Sequence, residues 1–212
     1  LITCVNPAKG TYLFIYNTNT SSATPIWSLN LNSNEFAEPP SANYNSSHRS
    51  WLTGDGNKIL LRTSGTLGTE GALYVIAIDY TNGGYTVEYD YSASPESVSG
   101  PSSLQGSFIG ASISRTGTRM FVPVNDSGAS PTGRMLIYHY TNSSWVLNKT
   151  FVKNDVFTAD DGSSKSAPHY FAARTEFASD DTVGVISGYY STNQTYTARI
   201  FYRFDYINND WT

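Results

Sequence analysis

Six triplets in the sequence have the form Asn-x-Ser/Thr without proline in the middle, the acceptor motif for N-linked glycans. They begin at Asn19, Asn45, Asn125, Asn142, Asn148 and Asn193. A chain rich in Asn, Ser and Thr also produces such triplets by chance. Their placement favours glycosylation, because five lie in predicted loops and Asn148 lies on the outer strand of a predicted sheet. The six sites therefore predict an extracellular, glycan-bearing surface.

Cys4 is the single cysteine of the chain. In a secreted protein an odd cysteine suggests a bond to another chain, but a strand cysteine is also typical of a small buried hydrophobe. The position favours burial, and an interchain bond through Cys4 stays an alternative. The three histidines, His48, His139 and His169, share no spacing typical of a zinc site, and His139 reads as a partly exposed strand residue. We therefore expect no metal, cofactor or catalytic residue from these groups.

Acidic residues in the sequence are candidates for two kinds of chemistry, metal binding and glycoside hydrolysis. The segment with Asp155, Asp160 and Asp161 before Gly162 offers oxygen ligands to a hard cation, but its spacing matches no calcium motif and is typical of a solvated loop. A glycoside hydrolase needs two carboxylates about 5 to 10 Å apart across a cleft. The candidates for that role are Glu88, Asp90 and Glu176. Nothing in the pattern distinguishes them, so we expect no enzymatic activity.

Tyrosines near the predicted connections suggest a different activity, the binding of sugars. Aromatic faces stack on sugar rings, which would make the chain a lectin-like module. The same tyrosines are more typical of residues packed between sheets, since the chain has 16 of them. The candidates are Tyr44, Tyr89, Tyr91, Tyr189, Tyr190 and Tyr196.

Composition excludes other classes of partner. The net charge is −4, and the 13 Lys and Arg residues form no cluster, which argues against nucleic acid and against anionic membranes. No apolar run approaches the roughly 18 residues that span a bilayer. Charged residues make up 14% of the chain, below the average of about 25% for soluble domains. Such a weakly charged, Ser-, Thr- and Asn-rich surface is typical of extracellular proteins.

Two landmarks recur along the chain and indicate internal repeats. Tyr80, Tyr140 and Tyr206 each begin the motif Tyr-x-Asn-x-x-aromatic, at spacings of 140 − 80 = 60 and 206 − 140 = 66 residues. An earlier turn recurs at 54–59, 115–120 and, in degraded form, 179–183. Asp55 in the first of these turns is explained by hydrogen bonds from its carboxylate to backbone N–H groups.

The best-preserved repeat lies between Gly110 and Phe151. Alternating residues predict four strands at 111–114, 119–124, 134–140 and 144–151. In all repeats one face of the third strand is apolar or aromatic, as in sheets that pack face to face. A period near 60 residues with four strands per repeat predicts an all-β fold, a β-propeller of four-stranded antiparallel blades.

The repeats divide the chain at approximately 1–45, 46–105, 106–168 and 169–212, two complete repeats between two partial ones. The first repeat lacks its first strand, because the chain begins at the position of the second, and the last repeat stops where its fourth strand should begin. We expect a single propeller domain or a section of a larger one. Because the chain begins with Leu1, either a leader has been removed or the chain is part of a longer one. Open terminal strands are natural sites for joining copies of the chain.

The order of these features resembles the FG-GAP-like repeats of integrin-α-type propellers. The resemblance rests on the Gly54-Asp55-Gly56 turn and the Ser114-x-x-Gly117 turn, the apolar strand after each, the Gly/Asn/Asp/Ser loop, and the polar turn before an aromatic residue. It covers 46–90 and 106–151 best. Intact Phe-Gly and Gly-Ala-Pro motifs and the Asp-x-Asp-x-Asp-Gly calcium loop are absent. The resemblance therefore implies the fold and an extracellular adhesive or structural setting, without a calcium site.

Together these features predict an extracellular, N-glycosylated structural or adhesive protein. Its expected partners are other copies of itself, extracellular proteins or glycans, and it could assemble into a fibre or a surface layer. A lectin-like propeller is the alternative, and a glycoside hydrolase is a weaker one.

Overall fold

A computed structural model describes residues 2–6, 10–31, 49–63, 72–93, 111–125, 133–152, 155–158, 161–166, 170–178, 181–192 and 195–211. These residues form strands and turns, with a single three-residue 3-10 turn at Tyr91–Ala93. Within them, no helix has the length and hydropathy needed to cross a membrane.

The strands form four antiparallel sheets in chain order. Sheet 1 contains β1 (Ile2–Asn6), β2 (Gly10–Ile15) and β3 (Trp27–Asn30), and sheet 2 contains β4 (Arg49–Leu52), β5 (Lys58–Thr63), β6 (Ala72–Asp79) and β7 (Gly84–Asp90). Sheet 3 contains β8 (Ser112–Ile113), β9 (Arg119–Asn125), β10 (Gly133–Thr141) and β11 (Ser144–Val152). A separate hairpin follows, β12 (Val156–Thr158) and β13 (Ser164–Ser166). Sheet 4 contains β14 (Tyr170–Phe177), β15 (Val183–Thr192), β16 (Thr195–Ile207) and β17 (Asp210–Trp211).

The all-β prediction is confirmed, and the four strands predicted in the best-preserved repeat correspond to β8, β9, β10 and β11. Each sheet is a simple meander, since every strand pairs with its neighbour in sequence. Among the described residues the four sheets are not seen to close into a ring. The segment predicted as a solvated acidic loop is instead partly the β12–β13 hairpin, whose turn contains Gly162 at φ 76°.

Three apolar clusters join the sheets in the order in which they occur along the chain. Leu13, Leu29 and Trp27 of sheet 1 pack on Ile59 and Ile76 of sheet 2. The opposite side of sheet 2 packs on sheet 3, through a cluster that includes Leu60, Val75, Met120, Leu136 and Tyr138. A third cluster joins sheet 3 to sheet 4 and includes Phe121, Met135, Ile137, Phe204 and Trp211. Sheets 2 and 3 are therefore covered on both faces, which explains the nearly continuous apolar sequences of β5, β6, β9 and β10.

Matching β-bulges interrupt the last strands of sheets 2 and 3. Ile76 pairs with Val87 and Val75 with Tyr89, so Glu88 is the extra residue in β7. Tyr138 pairs with Leu147 and Ile137 with Lys149, so Asn148 is the extra residue in β11. A one-residue slip exchanges the two faces of a strand.

Because of this exchange of faces, the two halves of β7 and of β11 contact different neighbouring sheets. In β7, Tyr85 and Val87 pack toward sheet 1, whereas Tyr89 packs toward sheet 3. In β11, Leu147 packs toward sheet 2 and Phe151 toward sheet 4. Each of these strands thus contributes to two of the apolar clusters.

The turn after the first strand is repeated in sheets 2, 3 and 4. Gly56, Gly117 and Asp181 occupy its left-handed position, with φ of 77°, 68° and 60°, and each donates its N–H to the residue three positions earlier. The next residue accepts a hydrogen bond from the third strand: Ile78 N–H to Asn57, Tyr140 N–H to Thr118 and Tyr206 N–H to Thr182.

These bonds correct one detail of the repeat alignment. Ile78, not Tyr80, is the equivalent of Tyr140 and Tyr206, because the β6–β7 turn is two residues longer than the other two. Tyr80 lies in that longer turn and donates its hydroxyl to the carbonyl of Gly56 at 2.7 Å. A shift of two residues keeps the same face, so the predicted faces of the third strands are unaffected.

Candidate functional site

Three of the six predicted glycan acceptors have described side chains, and all three are exposed. Asn19 lies in the turn region between β2 and β3, Asn142 in the β10–β11 turn, and Asn148 at the bulge of β11. Asn125 ends β9, where only its backbone is described, and Asn45 and Asn193 lie outside the described residues. Glycosylation of all six stays a prediction.

The hydroxyl residues of these three motifs are also accessible. Ser21, Ser144 and Thr150 are exposed, so each complete acceptor triplet begins and ends at the surface. Asn142 and its neighbour Ser143 have φ of 51° and 63°, the tight two-residue turn that a strand pair with right-handed twist prefers. This geometry points the turn away from the ladder and leaves Asn142 at the tip of the hairpin.

A polar cluster crosses the boundary between sheets 2 and 3. The Nζ atom of Lys58 lies 2.7 Å from Oε2 of Glu88 and 3.3 Å from the ring centre of Tyr140. The Tyr140 hydroxyl donates to Oε1 of Glu88 at 2.9 Å. This hydrogen bond, together with burial and the charge of Glu88, raises the pKa of Tyr140. The lysine is held both by a carboxylate and by the face of an aromatic ring.

An equivalent cluster crosses from sheet 3 to sheet 4. The guanidinium of Arg119 lies 4.0 Å from the ring centre of Tyr206 and 5.7 Å from that of Trp211. The indole N–H of Trp211 donates to Nε2 of His139 at 2.9 Å. Burial, with the charge of Arg119 as a second cause, lowers the pKa of His139. His139 is therefore a half-buried acceptor.

Turns of neighbouring sheets are also joined directly. Gly54 N–H donates to the carbonyl of Arg115 at 2.7 Å, which links sheet 2 to sheet 3. The two carboxylate oxygens of Asp181 accept the backbone N–H groups of Arg115 and Thr116, at 2.8 and 2.9 Å, which links sheet 3 to sheet 4. The Arg119 guanidinium donates to the carbonyl of Asp181. These contacts hold the sheets to one another, and a carboxylate bonded in this way has a structural role.

The acidic residues that are candidates for catalysis lie on two different sheets. Glu88 and Asp90 lie on β7 of sheet 2, and Glu176 is exposed on β14 of sheet 4. Both oxygens of Glu88 are engaged by Lys58 and Tyr140, so this carboxylate is not free to act on a substrate.

The acidic segment before and within the β12–β13 hairpin makes local hydrogen bonds. Asp155 accepts the N–H of Val152 at 2.7 Å, and Asp161 accepts that of Ser163 at 2.8 Å. Asp160 lies outside the described residues. In the part of the chain that the structure describes, no group of three or more His, Cys, Asp and Glu side chains is placed to hold a metal ion.

Of the tyrosines considered as sugar-binding candidates, the structure describes the side chains of two. Tyr89 and Tyr91 are buried between sheets 2 and 3, with exposed fractions of 7% and 1%, which agrees with the favoured interpretation of packing between sheets and not with the sugar-binding alternative. The burial follows from the bulge at Glu88, which turns this end of β7 toward sheet 3. Tyr189, Tyr190 and Tyr196 lie on β15 and β16, where only the backbone is described, and Tyr44 lies outside the described residues.

Cys4 lies on β1 opposite Tyr12 of β2, with only its backbone described. His48 and His169 lie outside the described residues. Nothing in these positions tests an interchain bond through Cys4.

Sequence reasoning missed Lys58, Arg119 and Asp181, although the repeat contains a signal for the first two. Lys58 and Arg119 both begin the second strand of a repeat, directly after the recurring turn. The aromatic pairs that they face, Tyr140 with Trp145 and Tyr206 with Trp211, belong to the recurring Tyr-x-Asn-x-x-aromatic motif. A basic residue at one repeat position and an aromatic pair at another indicate a contact between successive sheets.

No family model matches the chain, and no curated protein and no solved structure matches it.

Proposed function

We propose that this chain is an extracellular, N-glycosylated structural or adhesive protein built as a β-propeller of FG-GAP-like repeats. The observation that carries the proposal is the exposure of Asn19, Asn142 and Asn148, together with the hydroxyl residue of each triplet. A glycan requires that the acceptor be at the surface, and these three triplets meet that requirement. Copies of the same chain, extracellular proteins or glycans are its expected partners.

The propeller part of the proposal is supported by how the sheets succeed one another. Each sheet packs on the next in chain order, with equivalent residues at each boundary, as blades do. The face of sheet 1 that points away from sheet 2 carries Tyr12, Phe14 and Tyr16, whose rings form a row and are only partly buried. Such a face suits contact with a further sheet, as ring closure would require.

A lectin-like function is less well supported, since Tyr89 and Tyr91 are buried and cannot stack on a sugar. A hydrolase function is also less well supported, because Glu88 is engaged in an ion pair.

The test is the mass of the secreted protein before and after enzymatic removal of N-glycans, compared with the polypeptide mass of 23.2 kDa. We expect a heavier glycoprotein, with peptide mass spectrometry showing sugar on Asn19, Asn142 or Asn148. Native light scattering would show assemblies of several chains. A bare monomer would overturn the proposal, and glycan arrays would then test the lectin alternative.

A further inference from the structure

The strand β11 is an edge of sheet 3, and nine of its residues are in extended conformation. Among the described residues no strand pairs with its outer side. Its side chains alternate between partly buried and exposed, and the exposed ones include Val146 at 50% and Val152 at 40%. A long, exposed and partly apolar edge is a template on which a second chain can add a strand.

Charge does little to protect this edge. Lys149 is the single charged residue of β11, and its Nζ atom lies 2.8 and 2.9 Å from the two carboxylate oxygens of Asp210 on sheet 4. The lysine is therefore neutralised within its own molecule. At the end of the strand, Asp155 accepts the N–H of Val152, which closes the last residue of the edge. The middle of β11 has no comparable protection among the described contacts.

The corresponding edge of sheet 2 has a bulge at the equivalent position, but its bulge residue is not a glycan acceptor. The bulge residue of β7 is Glu88, whose carboxylate is held by Lys58 in an ion pair with only 13% of each side chain exposed. The bulge residue of β11 is Asn148, which is exposed and begins a glycan-acceptor triplet with Thr150. At the same bulge position, sheet 3 therefore presents an exposed glycan acceptor, whereas sheet 2 has a residue held in the contact with its neighbour.

We propose that an N-linked glycan on Asn148 shields the edge of sheet 3 and prevents a second copy of the chain from pairing with β11. The proposal rests on the glycosylation included in the proposed function. It identifies β11 as an edge at which copies of the chain do not pair. An added strand would lie about 4.8 Å from β11. A branched oligosaccharide attached at the fifth of the nine residues of β11 is larger than this spacing and would obstruct the approach of a second strand.

The bulge makes Asn148 a suitable attachment point. The extra residue of a bulge has no partner opposite it, so a sugar there disturbs no pair in the β10–β11 ladder. Asn142, at the turn of the same hairpin, is six residues away and beyond the paired part of the strand. It provides a matched control for a glycan that does not cover the edge.

The experiment uses the full chain secreted from a eukaryotic host, with site occupancy mapped by peptide mass spectrometry. Asn148→Gln and Thr150→Ala each remove the Asn148 site, whereas Thr150→Ser keeps it and Asn142→Gln removes the neighbouring one. Weight-average mass is measured by light scattering over a range of concentrations. We expect the first two variants to associate at roughly tenfold lower concentration than the parent, and the two controls to match the parent. Asn148→Lys, which replaces the sugar with a charge, should also match the parent.

Three results would overturn the shielding role. The first is an occupied Asn148 whose loss leaves the association unchanged, and the second is an equal effect of Asn142→Gln. The third is an empty Asn148 in a parent that has sugar on Asn19 or Asn142, which leaves the proposed function intact. A parent without sugar at any site overturns the proposed function and the shielding role together.

Discussion

Lys58 and Glu88 form an ion pair whose side chains are each only 13% exposed, so replacing one partner leaves the other poorly solvated. Glu88→Gln keeps the shape but removes the charge that balances Lys58, and it weakens the acceptor of the Tyr140 hydroxyl. We expect the free energy of unfolding to fall by about 3 kcal/mol. Urea denaturation at neutral pH measures it.

The exposed pair of Lys149 and Asp210 is the matched control. Its side chains are 32% and 53% exposed, and exposed pairs contribute less than about 1 kcal/mol. Asp210→Asn should therefore cost far less than Glu88→Gln. Equal losses for the two variants would show that the Lys58 cluster contributes no more than a surface contact.

His139 gives the stability a dependence on pH. Burial and the charge of Arg119 lower its pKa below the ordinary value of 6.5, so the unfolded chain binds the proton more readily than the folded one. The stability contributed by the neutral ring is complete above pH 6.5 and is lost as the pH falls through the pKa of the folded state. The slope from this one group is at most about 1.4 kcal/mol per pH unit.

We expect His139→Gln to flatten the loss of stability between pH 7 and pH 5, since Gln still offers an acceptor to the Trp211 N–H but does not titrate in that range. Urea midpoints at several pH values measure the difference. The other two histidines and the carboxylates are the same in both proteins, so an unchanged pH profile would assign the effect to them.

The residues of the candidate site were only partly predictable, for reasons visible at single positions. Asn142 and Asn148 are identified by a local motif, and the local hydrogen bonds of Asp55 to Thr53 and Asn57 follow from its place in a turn. The contacts of Lys58 with Glu88 and Tyr140 join residues that are distant in sequence, and they exist only because two sheets stack. No local pattern contains that information.

Among the structural elements, the repeated turns differ in how well their residues suit a left-handed backbone. Ser143 has φ of 63°, a conformation that costs a residue with a Cβ atom roughly 1 kcal/mol, so Ser143→Gly should raise the free energy of unfolding by about 0.5 to 1 kcal/mol. The substitution leaves the Asn142-x-Ser144 acceptor intact. Thermal or urea unfolding of the protein, with glycan occupancy checked, measures the gain.

Replacing a glycine at a left-handed position should have the opposite effect on stability, and the turn between β8 and β9 offers such a position. Gly117 has φ of 68°, and an added Cβ would lie 3.1 Å from Cγ2 of Thr53 and 3.2 Å from Cδ of Lys58. Gly117→Ala should lower the free energy of unfolding by more than about 1 kcal/mol. The two substitutions together test whether these turns have the assigned geometry, since a neutral result for both is incompatible with it.

The strands and turns could be predicted because period-two alternation and turn residues are local. The faces of β7 and β11 could not. Tyr85, Val87, Tyr89 and Tyr91 alternate without interruption, which predicts one apolar face, yet the bulge at Glu88 sends the first two and the last two to different sheets. A bulge leaves no gap in the alternation, so the sequence pattern does not reveal it. The two extra residues of the β6–β7 turn likewise could not be recognised from the sequence, so Tyr80 was aligned with Tyr140 although Ile78 is its equivalent.

For the whole molecule, the proposed ring makes a prediction about sheet 1. If the far face of sheet 1 meets another sheet, Phe14→Ser should lower the free energy of unfolding by about 3 kcal/mol, within the range for losing a buried aromatic ring. Val156→Ser is the control, since Val156 is 67% exposed and should cost less than about 0.5 kcal/mol. Urea denaturation compares the two. A loss below about 1 kcal/mol for Phe14→Ser would mean that the sheets form an open stack.

The bulges at Glu88 and Asn148 also bear on how the chain unfolds. A stack of sheets that touch only their neighbours can in principle melt one sheet at a time, as linear arrays do. Here β7 and β11 each belong to two apolar clusters, so detaching either strand exposes both clusters at once. Each of these strands therefore couples the stability of its own sheet to that of the sheets on both sides. Sheets 1 to 4 should therefore unfold as one cooperative unit, with a single transition, despite their modular sequence.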